Sequence, residues 1–90
     1  VEASRDVAFA PVPLDRQDAR TLLGKLRGAA MLNAAGQDVD ALLDLMEKLS
    51  GFAAATAEQV AEVDLNPVLV HRPGDGISIV DALIIKHPRD

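Results

Sequence analysis

The chain has 90 residues, a formal net charge of −5 at pH 7, and no cysteine, tryptophan or tyrosine. An acidic balance without a Lys/Arg cluster argues against nucleic-acid binding, and the lack of cysteine excludes disulfides, thiolate metal sites and Cys nucleophiles. No apolar run approaches the roughly 20 residues of a membrane span, and no signal-peptide pattern opens the chain.

At this length residues 1–90 are expected to form a single small domain, burying only about 60–65% of the surface the unfolded chain exposes. Phe9 and Phe52 are the only aromatic residues, so Leu, Val, Ile, Ala and Met must fill the core. A cysteine-free composition suits a reducing, cytoplasmic setting. The chain opens on Val1 and runs straight into strand-like sequence, which reads as a fragment cut from a longer protein.

In chain order, residues 6–14 place Val7 and Phe9 on one face at period two, as in a strand. Pro11 and Pro13 cannot donate ladder bonds, so its end must lie at an edge or leave the sheet. A helix follows, with Asp15 as N-cap, Asp18 in the first turn, and Ala19, Leu22, Leu23 and Leu26 on one face. Gly28 reads as its stop. Residues 29–37 form a small-residue connection ending in Gly36. Asp38 then caps a second helix with an apolar stripe of Val39, Leu42, Leu43, Met46 and Leu49, while Asp40, Asp44, Glu47 and Lys48 face water. Gly51 lies just past that run, although the alanines beyond it allow a further turn.

The last third changes period. Residues 60–70 and 77–85 are rich in β-branched side chains and flank His71-Arg-Pro-Gly-Asp-Gly76, a strong turn signal. The order is β-α-α-β-β, an α+β unit with two helices packed on a small, mainly antiparallel sheet. Gly74 and Asp75-Gly76 are turn chemistry, since no Gly-rich segment leads into a helix with Lys-Ser or Lys-Thr.

Asp64 and Asn66 are two apart and share a strand face. With Pro73 and Gly74 at the turn, antiparallel pairing sets Asn66 opposite Asp81, and opposed Cβ atoms lie about 4.5–5.5 Å apart. An amide oxygen and a carboxylate at that spacing can reach one hard cation. Mg²⁺ uses one or two carboxylates together with substrate phosphates and waters. A one-residue slip would send Asp81 to the other face, and all three residues equally suit ordinary solvent-facing positions. His71, beside the turn, and His87, in the tail, read as surface histidines.

Glu62-Val-Asp-Leu-Asn-Pro-Val-Leu-Val70, followed by Ile79-Val-Asp-Ala-Leu83, resembles the closing motif of the ATP-grasp domain in NDP-forming acyl-CoA synthetases. That family includes ADP-forming acetate-CoA ligases and succinyl-CoA synthetase β chains. Upstream, Val1-Glu2, Asp6-Val-Ala-Phe9, Pro13-Leu14, Ala19-Arg20, Leu26-Arg-Gly28 and Asp38-Val-Asp40 follow the family's order and approximate spacing, so the resemblance covers essentially the whole chain.

The resemblance implies the C-terminal part of such a domain. In the family, acid, CoA and ATP are interconverted with acyl-CoA, ADP and phosphate through an acyl phosphate and a phosphohistidine. The ATP-grasp part moves the phosphoryl group between that histidine and the nucleotide. By resemblance, Asn66 and Asp81 are Mg²⁺ ligands against ATP or ADP, and Asp64 is a third or water-mediated ligand. No residue of this chain takes a catalytic role, and neither His71 nor His87 is the phosphohistidine. The adenine pocket and phosphate-binding lysine would lie upstream of Val1. The implied partners are the remainder of the ATP-grasp domain and the CoA-binding and ligase domains of a parent enzyme, with the piece alone inactive.

Two departures stand out. The family's usual Arg in Phe-Arg-Leu-Ala-Pro-Leu is Ala10 here, and a Gly-x-Arg-Gly loop is replaced by Asn33-Ala-Ala-Gly36. An arginine at such sites supplies charge to phosphate or carboxylate. Its loss raises an alternative: a non-catalytic regulatory or interaction module of the same fold, of the kind fused to an acetyltransferase.

Overall fold

The computed structural model describes residues 8–26 and 36–88. Among the described residues, two helices, α1 (Arg16–Gly24) and α2 (Val39–Ala55), precede four strands: β1 (Val60–Leu65), β2 (Val68–Val70), β3 (Ile77–Ile79) and β4 (Ala82–Lys86). The result is the expected α+β arrangement of two helices with small antiparallel sheets. Among the described residues, no helix is long and apolar enough to cross a membrane.

The leading strand is where the sequence reading and the structure part. Residues 8–14 form no ladder; Val12 and Pro13 sit in a bend, and the Val12–Pro13 peptide is cis. Residues 6 and 7, and Gly28 and residues 29–35, lie outside the described residues. The proline-rich segment is tied instead to a helix. Leu14 N–H donates to Ser50 Oγ (2.9 Å), and the hydroxyl donates onward to the Glu47 carbonyl (2.9 Å). Ser50 is buried, only 4% exposed.

Asp15 caps α1 in a complete capping box. Its Oδ1 accepts from Asp18 N–H (2.7 Å), and Asp18 Oδ2 accepts from Asp15 N–H (3.2 Å). Ala19 of α1 and Leu43 of α2 are completely buried and form the centre of the helix pair. The expected stripe of α2 faces inward, with Val39, Leu42, Met46 and Leu49 half-buried and Asp40, Asp44 and Lys48 exposed. Glu47 does not simply face water. Arg16 Nε pairs with its Oε2 (2.9 Å), and the same guanidinium pairs with Asp44 and donates to the Asp40 carbonyl (3.2 Å). These are partly exposed pairs, each worth about 0–1 kcal/mol. Gly51 does not stop α2, which runs on to Ala55. Thr56 then closes it by donating both its N–H (3.0 Å) and its hydroxyl (2.7 Å) to the Phe52 carbonyl.

The N-terminus of α2 grips the hairpin. Asp38 Oδ1 accepts from Ala41 N–H (3.1 Å), as an N-cap should, while Oδ2 accepts from Gly74 N–H (3.1 Å) and Gly76 N–H (2.9 Å). The Asp38 N–H donates to the His71 carbonyl (2.7 Å), and Gln37 Nε2 donates to the Val70 carbonyl (3.1 Å). Gly74 and Gly76 have φ of 88° and 77°, backbone positions at which a side chain costs roughly 1–2 kcal/mol. The N–H groups of Ala41 and Gly76 hold the Asp38 carboxyl below its ordinary value of 3.8; partial desolvation opposes them, and Gly74 adds to the lowering.

Two outcomes follow from these anchors. Ser50→Ala leaves the Leu14 N–H without its acceptor and is expected to destabilise the chain by about 1–3 kcal/mol in denaturant unfolding; an unchanged midpoint would show that the 8–14 segment is not held there. A carboxyl lowered on folding stabilises the native state above its unfolded value and loses that contribution as pH falls through the folded value. Wild-type chain is therefore expected to melt above Asp38→Asn at neutral pH, with the gap in melting temperature closing as pH falls below 3.8. A gap that stays constant across that window would assign the effect to shape rather than charge.

Candidate functional site

The two short ladders share one register from the turn out to Glu62 and Ile85, beyond which a bulge shifts it. β1 pairs with β4 through Val63↔Ile84, Asp64↔Leu83 and Leu65↔Ala82, and β2 pairs with β3 through Val68↔Ile79, Leu69↔Ser78 and Val70↔Ile77. Between them the strands break at Asn66-Pro67, a cis peptide, and at Val80-Asp81. The pairing continues across that break. Asn66 N–H donates to the Asp81 carbonyl (3.1 Å) and Val80 N–H to the Pro67 carbonyl (3.0 Å). Asn66 therefore stands opposite Asp81, as a turn centred on Pro73-Gly74 predicts.

Burial along β1 separates its faces. Val63 and Leu65 are half-buried, whereas Asp64, Asn66 and the facing Asp81 are exposed. Asp64 lies opposite Leu83 and is thus a diagonal neighbour of Asp81, at roughly 7–8 Å by ordinary sheet geometry. Asp81 Oδ1 accepts from Ala82 N–H (2.9 Å), which orients the carboxylate.

Among the described residues, no three His, Asp or Glu side chains gather as a metal cage. A cation at this position would have to use the Asn66 amide beside carboxylate, and complete its shell with water or substrate oxygen. That donor set suits a hard, oxygen-seeking cation and gives a softer metal no nitrogen or sulfur.

The histidines take local roles. His71 Nε2 lies 2.6 Å from Ser78 Oγ, and His87 Nε2 lies 3.1 Å from the Ala57 carbonyl. Ala10 is exposed. An open apolar groove of about 710 Å³ is lined by Phe9, Val12, Leu22, Met46, Leu49 and Val63, among others, and none of Asp64, Asn66 or Asp81 lines it. Sequence reasoning missed this groove because its walls come from five separate segments: residues 8–14, α1, α2, β1 and His87. It also missed the second role of Asp38, for which the only signal was a good cap preceding a glycine-rich turn.

A profile of the ATP-grasp domain matches residues 1–85. The chain belongs to the ATP-grasp family. It is similar to the β subunit of acetate–CoA ligase (ADP-forming) II from Pyrococcus furiosus, at 36% identity over 94% of this chain and 38% of the relative. Acetate–CoA ligase (ADP-forming) II from Archaeoglobus fulgidus is 35% identical over 94% of this chain and 12% of its own length. The fold agrees with a solved protein of Pyrococcus horikoshii Ot3, with a TM-score of 0.88 and 36% identity over 93% of this chain and 37% of that one. It also agrees with the dinucleotide-forming acetyl-coenzyme A synthetase 1 of Ca. Korarchaeum cryptofilum (TM-score 0.78, 33% identity, 91% of this chain and 39% of that one). That enzyme was solved with coenzyme A and Mg-AMPPCP, its phosphohistidine segment pointing towards the nucleotide binding site. This ATP-grasp chain thus spans less than two fifths of the two curated ligases.

The register is directly testable, because the chain has no cysteine of its own. Opposed strand positions have Cα atoms about 4.5–5.5 Å apart, within the range a disulfide bridges. Leu65→Cys with Ala82→Cys is expected to cross-link on mild oxidation, and Leu65→Cys with Leu83→Cys is not. The reverse pattern would turn Asp81 away from Asn66.

Proposed function

We propose that this chain is the Mg²⁺-nucleotide-presenting part of the ATP-grasp domain in an ADP-forming acyl-CoA synthetase, an acid–thiol ligase converting acid, CoA and ATP to acyl-CoA, ADP and phosphate. The observation that carries this reading is the opposition of Asn66 and Asp81 on an exposed face, in a chain 35–36% identical to two such ligases. Their donor set fits Mg²⁺, which takes one or two carboxylates and leaves positions for phosphate and water. Asn66 and Asp81 would hold the ion directly, and Asp64, on the diagonal, through water. When bound, Mg²⁺ neutralises phosphate charge and helps to align the transferring group.

The protein's own contribution is position. The β1–β4 ladder supports the pair from one side, the β2–β3 ladder from the other, and the Ala82 N–H fixes the direction of the Asp81 carboxylate. The nucleotide's remaining contacts would come from the rest of the ATP-grasp domain, and acyl and CoA chemistry from the other domains of the parent. Exposure supports that division. Leu83, Ile84 and Ile85 of β4 are 55%, 53% and 42% exposed, so both faces of this strand are uncovered in the chain alone. Apolar surface of this kind marks an interface. The isolated piece is accordingly expected to be inactive.

The deciding assay is ADP- and phosphate-dependent release of CoA by the full-length protein over a panel of acyl-CoAs. Removal of groups that merely support metal ligands costs roughly 10–100-fold, so Asp81→Ala and Asn66→Ala are each expected to lower kcat/KM by more than about 100-fold. Turnover indifferent to Asp81→Ala would reject the metal role. Ala10 in place of the family's arginine favours the second reading, a regulatory or interaction module of the same fold; nucleotide binding without turnover on any acyl-CoA would establish it.

A further inference from the structure

We infer that Asp38 is a positioning residue for the candidate metal pair: by locking the hairpin tip to α2, it holds Asn66 opposite Asp81. The consequence for metal binding rests on the proposed function; the clamp itself rests on geometry alone.

An N-cap needs one side-chain oxygen, and Asp38 Oδ1 meets that need through Ala41 N–H. Its second oxygen does something a cap does not require. Oδ2 collects two N–H groups, of Gly74 and Gly76, from a turn 36 and 38 residues further along the chain. Around it, the Asp38 N–H binds the His71 carbonyl and Gln37 binds the Val70 carbonyl. Together these bonds attach both arms of the turn to the start of a helix whose Leu43 is completely buried.

The tip needs such an attachment. β2 and β3 exchange only three residue pairs, and an isolated two-stranded ribbon is marginal in water. Val68, Val70 and Ile77 are half-buried, but Leu69 and Ile79, in opposite strands of it, remain 46% and 45% exposed, so packing covers one face only. Asn66 and Asp81 sit where this weak ladder meets β1–β4, and only the Asn66–Asp81 and Val80–Pro67 backbone bonds carry the register across. Slack at the tip reaches the pair through those two bonds. A slip of one residue would separate the two side chains onto opposite faces.

Asp38→Ser separates capping from clamping. Serine remains a good N-cap, but its single short hydroxyl cannot serve Ala41, Gly74 and Gly76 together. The experiment compares the full-length protein with its Asp38→Ser, Ser50→Ala and Asp81→Ala variants. Hydrogen exchange is followed in peptides covering 66–70 and 77–81, and Mn²⁺ affinity is read from the free-ion EPR signal in the presence of ADP. Asp38→Ser is expected to speed exchange in both peptides and weaken Mn²⁺ by roughly 3–10-fold, a size typical of coupling through packed elements. Ser50→Ala, destabilising but remote from the hairpin tip, is expected to leave Mn²⁺ affinity unchanged.

Unchanged exchange in Asp38→Ser would overturn the clamp. Faster exchange with undiminished Mn²⁺ affinity would sever the clamp from the site, provided that Asp81→Ala abolishes the binding. If Asp81→Ala leaves Mn²⁺ binding intact, the metal reading fails instead. Exchange at the Asn66 and Val80 amides then decides by itself whether Asp38 holds the register.

Discussion

One pairing register runs through the hairpin from its glycine turn to Glu62 and Ile85, where a bulge shifts it, and the candidate site depends on it. Side chains alternate between faces with a period of two, so register decides which residues can act together at all. Here it is carried past a break at Asn66-Pro67 and Val80-Asp81 by two backbone bonds. At the break Asn66 and Asp81 are opposed along the backbone, and both are exposed. Residues that would otherwise be unrelated, 15 positions apart by their numbering, become neighbours.

Hydrophobic burial alone does not explain why the arrangement holds. Among the described residues, Ala19 and Leu43 are the buried apolar side chains, and Ser50 is the buried polar one. Polar anchors therefore carry much of the specificity. Ser50 fastens the proline-rich segment to α2, and Asp38 fastens the hairpin to the start of the same helix. Each supplies acceptors to backbone N–H groups that have no ladder partner, the kind of group that is expensive to leave unmet. α2 thus serves as the common support, holding the N-terminal segment near one end and the turn at the other.

The same sparseness marks the candidate site. Asn66, Asp81 and Asp64 offer two carboxylates and one amide, too few to enclose a cation. Under the proposed function, nucleotide oxygens and water would complete such a shell. The uncovered faces of β4 show the same incompleteness at larger scale. In a chain matching less than two fifths of its ligase relatives, Leu83, Ile84 and Ile85 leave apolar strand surface exposed.

Much of this is legible in the amino-acid sequence. Asp15 with Asp18, the apolar stripes of both helices, and the turn at Pro73-Gly74 follow from local chemistry: caps, helical periodicity and glycines at positive φ. Because hairpin register is dictated by the turn, even the Asn66–Asp81 opposition is readable, and the Asp-Leu-Asn-Pro and Val-Asp-Ala motifs point to the family. Other features need the tertiary structure. Residues 8–14 have strand-like alternation but find no ladder, because strand formation requires a partner and theirs is a serine on a helix. Glu47 looks solvent-facing on its helix, yet Arg16 from the preceding helix reaches it. At Gly51 the sequence leaves both a stop and a further turn open, and the helix takes the further turn to Ala55. Asp38 reads as a cap, and only folding brings Gly74 and Gly76 to its second oxygen. Residues a few positions apart along the chain settle the caps, the stripes and the turn. Which distant backbone groups meet is settled by how the elements pack, and no local pattern encodes that.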